Sequence, residues 1–284
     1  MKLIECPRDA MQGLDHFIPT TTKVAYLNQL LRVGFDTLDF GSFVSPKAIP
    51  QMRDTAEVVK QLDLSATKTK LLAIVANVRG AHEAAAFDEI TYLGFPLSIS
   101  ETFQQRNTNK SISEALNSLA EIQEICQQRN KVLVTYISMG FGNPYGDPYD
   151  EEVVGTFSGI LHTLGVTIVS LADTIGISDP DRIKKLFRQV TAAFPDIEFG
   201  AHLHSAQATA VEKIAAVYES GCQRFDGALK GFGGCPMAED ELVGNLATEV
   251  IVGYLKSKGQ SLNLNEDELH QALLQAASVF EASH

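Results

Sequence analysis

The feature that most constrains the fold is an alternation of short apolar runs with longer helix-like segments, repeated eight times along 284 residues. The apolar runs predict strands at 3–6, 37–40, 70–75, 89–93, 132–138, 166–171, 198–204 and 224–226. Strands that alternate with helical segments are typical of parallel sheets. Eight such units without a linker predict one (β/α)8 barrel spanning residues 1–284, because an open, doubly wound sheet rarely sustains eight regular units.

Helical spacing and end signals predict the intervening helices. They fall at about 21–33, 49–62, 113–128, 150–164, 180–194, 207–220 and 242–256, with a short helix ending at 86. A further amphipathic helix at 266–280 has no strand before it, and the segments around 8–13 and 101–106 are predicted to be loops. No Gly-x-Gly-x-x-Gly follows the first strand, which argues against a dinucleotide-binding fold.

Catalytic residues of such barrels lie at the C-terminal ends of the strands. The polar residues at those ends are Arg8, Asp9, Asp39, Asn77, Ser138, Asp173, His202 and His204. Cys235 lies in the loop after the eighth strand, and Asn245 lies at the start of the last barrel helix. Because the loops converge on one mouth, these residues can meet there.

His202 and His204 lie two residues apart at a strand end, so their side chains point to the same face. With Asp9 they form a nitrogen and oxygen ligand set that suits Mg²⁺, Mn²⁺ or Fe²⁺ better than structural Zn²⁺. Other interpretations stay open at this point. One imidazole could be buried and the other solvated, and Asp9 could serve a turn beside Arg8.

The glycine-rich segment 231–236 holds Cys235. It could be a lid that closes over a substrate and delivers the thiol. It could equally be a plain connector or a cradle for phosphate.

Charge and cysteine usage limit the partners and the compartment. A net charge of −12 argues against nucleic acid as a partner, because an acidic protein repels a phosphate backbone. Cys6, Cys126, Cys222 and Cys235 form no Cys-x-x-Cys pair, which predicts reduced thiols and a cytoplasmic location. No apolar run approaches the length of a membrane span, so no membrane partner is expected.

Six segments, in order along the chain, resemble the 3-hydroxy-3-methylglutaryl-CoA lyases, a family of TIM-barrel metallolyases. They are Pro-Arg-Asp-Ala-Met-Gln (7–12), Ser-Phe-Val-Ser-Pro-Lys (42–47), Asp-Thr-Ile-Gly (173–176), His-Leu-His (202–204), Gly-Phe-Gly-Gly-Cys-Pro-Met-Ala (231–238) and Gly-Asn-Leu-Ala-Thr-Glu (244–249). The last two are the more specific. The Arg-Asp start and the His-x-His pair are shared with the isopropylmalate and homocitrate synthases.

The resemblance implies a retro-Claisen cleavage of 3-hydroxy-3-methylglutaryl-CoA into acetyl-CoA and acetoacetate, by a homodimeric enzyme. It implies that Mg²⁺ or Mn²⁺ is bound by Asp9, His202, His204 and Asn245. The catalytic set it implies is Arg8, which would stabilise the enolate, Cys235, which would transfer a proton, and Asp39, Asp173 and His202. The candidate contacts to the acyl-CoA substrate are Gln12, Ser42, Lys47 and Asn77.

The chain departs from the family near the expected ligands. Asp39 stands where the family commonly has Glu, Ala10-Met11 replaces Gly-Leu, and Ser-Ala-Gln-Ala-Thr (205–209) replaces Asp-Thr-Tyr-Gly-Gln. Such neighbours orient metal ligands. Three alternatives therefore remain: a transferase condensing an acyl-CoA with a 2-oxo acid, a lyase for another 3-hydroxyacyl-CoA or 2-hydroxy acid, and a barrel that binds metal and ligand without turnover.

Overall fold

The computed structural model describes residues 1–234 and 243–281 and contains a closed barrel of eight parallel strands. The strands are β1 (Lys2–Glu5), β2 (Thr37–Ser42), β3 (Lys70–Ile74), β4 (Ile90–Ser98), β5 (Val132–Ser138), β6 (Ile168–Asp173), β7 (Glu198–Leu203) and β8 (Arg224–Gly227). Each strand pairs with the next in sequence, and β1 closes the barrel against β8 with Lys2 opposite Arg224. The predicted fold is confirmed.

Helices surround the barrel in the predicted alternation. They are α1 (Pro7–Gln12), α2 (Thr20–Val33), α3 (Thr55–Val59), α4 (Val78–Ala85), α5 (Glu101–Thr108), α6 (Ile112–Gln128), α7 (Glu151–Thr163), α8 (Pro180–Ala193), α9 (Gln207–Glu219), α10 (Thr248–Ser257) and α11 (Glu266–Glu281). Short 3-10 turns lie at Pro50–Met52 and Leu229–Gly231. No helix in the described ranges combines the length and the apolar composition that a bilayer crossing requires.

Several segments differ from the sequence-based prediction. The helix expected at 242–256 begins at Thr248, and β4, expected to end at 93, continues to Ser98. Residues 8–13, expected to be a loop, belong mostly to α1, and 101–106, also expected to be a loop, lies within α5. The single helix expected at 49–62 is a 3-10 turn followed by α3, because Asp54 between them has a non-helical backbone with φ −103° and ψ 10°.

The core has two parts. The larger lies between the barrel and its helices, and a smaller group fills the barrel with Leu72, Ile74, Tyr92, Val134, Tyr136 and Ile168. The interior also holds Arg224, which is wholly buried. A Cβ on Gly200 would lie 2.9 Å from Arg224 Cδ, so this long side chain needs a glycine on the neighbouring strand.

The last helix, α11, packs along α2. The amide of Gln29 donates to the Glu268 carbonyl at 2.8 Å, and the rings of Tyr26 and Phe280 meet edge to face. Phe280 also stacks on Phe232, with ring centroids 4.8 Å apart. The helix therefore runs outside the barrel and reaches the loop that follows β8.

Candidate active site

Asp9, His202 and His204 come together at the C-terminal end of the barrel. One ligand atom from each lies within 4.8 Å of the other two. Asp9 is on α1 immediately after β1, and the two imidazoles lie at the end of β7 with ring centroids 5.4 Å apart. The alternating side-chain directions of a strand thus place both rings on one side, and the short helix brings the carboxylate to them.

Hydrogen bonds on the far side of each imidazole leave its other nitrogen for a ligand. His202 Nδ1 lies 3.2 Å from Asp226 Oδ2. The His204 ring bonds to the backbone of Thr174, and its buried Nε2 has no hydrogen-bond partner within the described residues. A buried nitrogen of this kind costs free energy unless it is satisfied. Together with the Asp9 carboxylate, these donors fit a divalent cation.

The protonation states of Asp9 and His204 also fit a cation. Burial and the neighbouring His202 lower the pKa of His204 to about 4, so this imidazole is neutral at pH 7. Burial opposes the charge on Asp9, but Arg8 and the two imidazoles outweigh it and lower the pKa of Asp9 to about 2. Burial also opposes the charge on His202, but the contact with Asp226 prevails and raises its pKa.

Arg8 is buried and held on both sides. Its Nε donates to Asp39 Oδ2 at 3.0 Å, Nη2 donates to the same carboxylate, and Nη1 donates to Asp9 Oδ1 at 2.9 Å. Nη1 also donates to Gln12 Oε1 at 2.8 Å. Nε also donates to Asp39 Oδ1 at 3.2 Å, so aspartate at position 39 reaches Arg8 through both oxygens although it is one methylene shorter than glutamate. Burial raises the pKa of Asp39 to about 6, against the opposing effect of Arg8.

Asn245 joins the ligand group through Asp9. Its Nδ2 donates to Asp9 Oδ2 at 2.7 Å and to the Phe232 carbonyl at 2.9 Å, and its backbone forms an antiparallel bridge with His204. Gly233 packs directly against this pair, since an added Cβ would lie 2.8 Å from Asn245 Nδ2 and 2.9 Å from Asp9 O. Cys235, the predicted proton-transfer residue, lies outside the described residues.

An open cavity leads to these residues, with about 1100 Å³ of empty space including its mouth. Its polar lining comes from Arg8, Asp9, Gln12, Asn107, Thr108, Tyr136, Ser138, Thr174, His202 and His204. Its apolar lining comes from Val44, Ala48, Ile49, Ile74, Ala76, Pro96, Phe103 and Ala172. The cavity therefore combines charged residues around Asp9 with a largely apolar lining elsewhere.

The other predicted substrate contacts, Ser42, Lys47 and Asn77, are not among the residues that line this cavity. Lys47 is exposed, in the loop that supplies Ala48 to the lining. The Ser42 hydroxyl accepts from Val44 N at 3.2 Å, and Asn77 caps α4 by accepting from Gly80 N at 2.8 Å. Both side chains therefore have local structural bonds, and their contact with substrate stays a prediction.

Asp173 lies behind the cavity and is almost fully buried. Its Oδ1 accepts from Ile177 N at 2.9 Å. Its Oδ2 accepts from the Ser178 hydroxyl at 2.6 Å and from Lys213 Nζ at 3.0 Å. This carboxylate organises the loop after β6, and that loop supplies the backbone partner of His204.

Sequence reasoning missed two charged side chains beneath the site, Asp226 and Lys213. Asp226 had a usable signal, because it is a polar residue at the end of β8. Lys213 lies within α9 and carried no signal. Cys6 forms a second possible ligand group with His202 and Asp226. Burial and nearby carboxylates raise the Cys6 pKa, however, so its thiol stays protonated.

Fold and site together define a TIM-barrel protein with a carboxylate and imidazole centre at its mouth. The HMGL-like family model matches residues 3–275. The hydroxymethylglutaryl-CoA lyase YngG of Bacillus subtilis is 35% identical over 94% of this chain and 88% of its own length. The chain belongs to the HMGL-like family.

Other relatives agree. The human cytoplasmic 3-hydroxy-3-methylglutaryl-CoA lyase is 30% identical over 93% of this chain and 71% of its own length. The solved Bacillus subtilis HMG-CoA lyase superposes with a TM-score of 0.92 and 33% identity, covering 99% of this chain and 93% of that one. An Acinetobacter baumannii HMG-CoA lyase solved with coenzyme A and 3-methylmalate gives a TM-score of 0.91 and 29% identity, covering 99% and 91%. The predicted family and the predicted class, a carbon–carbon lyase, are confirmed.

Proposed function

We propose that this chain cleaves 3-hydroxy-3-methylglutaryl-CoA to acetyl-CoA and acetoacetate, with Mg²⁺ or Mn²⁺ bound by Asp9, His202, His204 and Asn245. One observation carries the proposal: the Arg8 guanidinium is fixed beside Asp9 in the cavity that both imidazoles line. The Asp9 oxygen and the neutral His204 nitrogen match the preference of these ions. The relatives named as HMG-CoA lyases supply the substrate.

The reaction begins when a general base takes the proton from the substrate 3-hydroxyl. The bond between carbons 2 and 3 then breaks, the hydroxyl oxygen becomes the ketone of acetoacetate, and the electron pair forms the enolate of acetyl-CoA. Protonation of that enolate carbon gives acetyl-CoA. When bound, the metal would draw the hydroxyl and carboxylate together and lower the hydroxyl pKa.

Arg8 is placed to stabilise the negative charge of the enolate. Its guanidinium is almost fully buried and is held in place by Asp39, so it needs little reorganisation when negative charge develops on the thioester oxygen. A fixed donor of this kind is worth about 3 kcal/mol of barrier in other enzymes. We assign the proton that the enolate carbon receives to Cys235, as the family resemblance implies.

The apolar residues that line the cavity are compatible with a methyl group or a longer alkyl group at carbon 3 of the substrate. A Pseudomonas aeruginosa relative, 32% identical over 90% of this chain, is named as a 3-hydroxy-3-isohexenylglutaryl-CoA/hydroxy-methylglutaryl-CoA lyase. The substrate panel should therefore include thioesters with methyl and with longer 3-alkyl groups.

The test is release of acetyl-CoA and acetoacetate by the purified protein with Mg²⁺ or Mn²⁺, with elemental analysis of the protein as isolated. We expect equal amounts of both products and loss of turnover in Arg8→Met. Absence of products across the panel would overturn the proposal. Turnover of acetyl-CoA with a 2-oxo acid would instead identify a condensing transferase, and binding without any turnover would identify a binding protein.

We also propose a cytoplasmic homodimer, as the cysteine usage and the family resemblance imply. Light scattering coupled to size-exclusion chromatography tests the dimer. A monomer at micromolar concentration would refute that part alone.

A further inference from the structure

Lys213 is a second buried cation beside the site, and neither the family match nor the proposed chemistry assigns it a role. It lies on α9 and is only 2% exposed. Helical side chains lean toward the N-terminus of their helix, and α9 begins just after the end of β7. This direction places the ammonium group next to the end of β7, close to His204.

The ammonium uses all three of its hydrogen-bond donors there. Nζ donates to Asp173 Oδ2 at 3.0 Å, to Gly176 O at 2.9 Å and to His204 O at 3.0 Å. Asp173 is the last residue of β6, Gly176 lies in the loop that follows it, and the third acceptor is the main chain of an expected metal ligand. Lys213 thus joins the end of β7 to the neighbouring loop.

The same loop also holds the imidazole itself. The His204 ring bonds to the backbone of Thr174, next to Asp173. His204 is therefore fixed twice against one loop, through its ring and through its carbonyl oxygen. A shift of the loop relative to β7 would move the ring and the main chain of His204 together.

Ser205 does not provide this connection. Its hydroxyl donates to Ala206 O at 2.8 Å and lies 2.9 Å from Thr209 Oγ1, so its side-chain bonds are local to the start of α9. The side chain immediately after His204 therefore leaves the Asp173 carboxylate to Ser178, Ile177 and Lys213.

We propose that Lys213 is a positioning residue for the metal centre, which sets His204 Nε2 relative to Asp9 by tying the His204 carbonyl to Asp173. This rests on the proposed metal site. Groups behind a metal ligand hold it in the orientation that the ion requires, and their loss lowers metal affinity roughly 10–100-fold.

The chain offers a matched control in Lys23. This lysine is also 2% exposed, and its Nζ donates to Asp54 Oδ1 at 2.7 Å and to the Gln51 carbonyl. Neither Lys23 nor these two partners line the cavity. Lys213→Met leaves the buried Asp173 without its ammonium, and Lys23→Met does the same to the partly buried Asp54. Both variants should therefore lose folding stability, whereas only Lys213→Met should disturb the metal centre.

The experiment measures the Mn²⁺ dissociation constant by titration calorimetry, the visible spectrum of the Co²⁺ form and the Tm without metal, for wild type and both variants. We expect Lys213→Met to weaken Mn²⁺ binding at least tenfold and to change the Co²⁺ spectrum, and Lys23→Met to leave both near wild type. Equal effects of the two variants, or an unchanged dissociation constant in Lys213→Met, would overturn the proposal.

If Lys213→Met does not fold, Lys213→Met/Asp173→Asn removes the unpaired charge and is measured against Asp173→Asn by the same criteria. The metal site itself is tested separately in the wild type. Failure of the wild type to bind Mn²⁺ would refute the proposed function, whereas normal binding in the Lys213 variants refutes only this inference.

Discussion

Glu5 gives the sharpest test of the electrostatics of this barrel. It lies on β1, is wholly buried, and accepts from Leu229 N at 2.9 Å while its other oxygen meets the Thr248 hydroxyl. Burial raises the pKa of Glu5 from 4.5 to about 8, and the two hydrogen bonds only partly oppose it. The folded protein therefore holds this carboxyl protonated at neutral pH, whereas the unfolded chain ionises it.

The sign of the stability effect follows from that difference. Between pH 4.5 and about 8 the folded state binds more protons than the unfolded state, so the free energy of unfolding falls as pH rises. The contribution of Glu5 is fully present below pH 4.5 and is lost as pH rises through about 8. A shift of that size corresponds to roughly 5 kcal/mol.

Glu5→Gln keeps the shape and removes the titration. We expect the free energy of unfolding of the variant, minus that of wild type, to become more positive between pH 5 and pH 9, by up to roughly 4 kcal/mol. Urea denaturation under reducing conditions measures this difference, in which contributions common to both proteins cancel. Glu83→Gln, at an exposed position on α4, is the control and should give a flat difference. Parallel pH curves for Glu5→Gln and wild type would refute the reasoning.

Three further changes test the site and the frame around it. Asp226→Asn should weaken Mn²⁺ binding roughly 10–100-fold in titration calorimetry, because His202 loses the charged partner of its Nδ1; unchanged affinity would contradict this role. Gly233→Ala should strain the loop by at least about 1 kcal/mol, because φ is +94° and the added Cβ would meet Asn245. We expect this variant to have a lower kcat/KM with little change in Tm. Full activity would count against close packing at Gly233. Ser111→Ala should cost about 1 kcal/mol in urea denaturation, with normal activity, because Ser111 and Glu114 form a capping box at α6; an unchanged midpoint would show that the cap is dispensable.

The order of strands and helices could be predicted from the sequence because it depends on local signals. Where those signals were weak, the prediction was wrong. The helix α1 has six residues and no side-chain cap at Cys6, and α5 is mostly polar, so no apolar periodicity marks either of them. The strand β4 continues through Gly94 and Pro96, which indicate a turn in the sequence. Its ladder with β3 ends at Gly94, so the missing N–H of Pro96 costs no bond to that strand.

The site was predictable to a similar extent. Residues at strand ends, such as Asp9 and His202, could be named because barrel topology brings those ends together. Lys213 could not be named, because a lysine in the middle of a helix is interpreted as solvent-exposed unless its hydrogen-bond acceptors in the folded protein are known. The paired role of Asp39 with Arg8 also needed the structure, since only the contacts in the folded protein show that the shorter carboxylate reaches the guanidinium.

The charge balance around the site explains why these residues are arranged as they are. Asp9, Asp39 and Asp226 are buried near one another, and their combined field, with burial, raises the pKa of the Cys6 thiol well above its usual value. Arg8 pairs with Asp9 and Asp39, and His202 faces Asp226. Buried charges are stable only when they are paired or coordinate a metal. Within the described residues, the second oxygen of Asp9 accepts only from the neutral amide of Asn245, and His204 Nε2 has no hydrogen-bond partner. A divalent cation held by Asp9 and His204 would satisfy both groups, which is the physical reason for proposing a metal here.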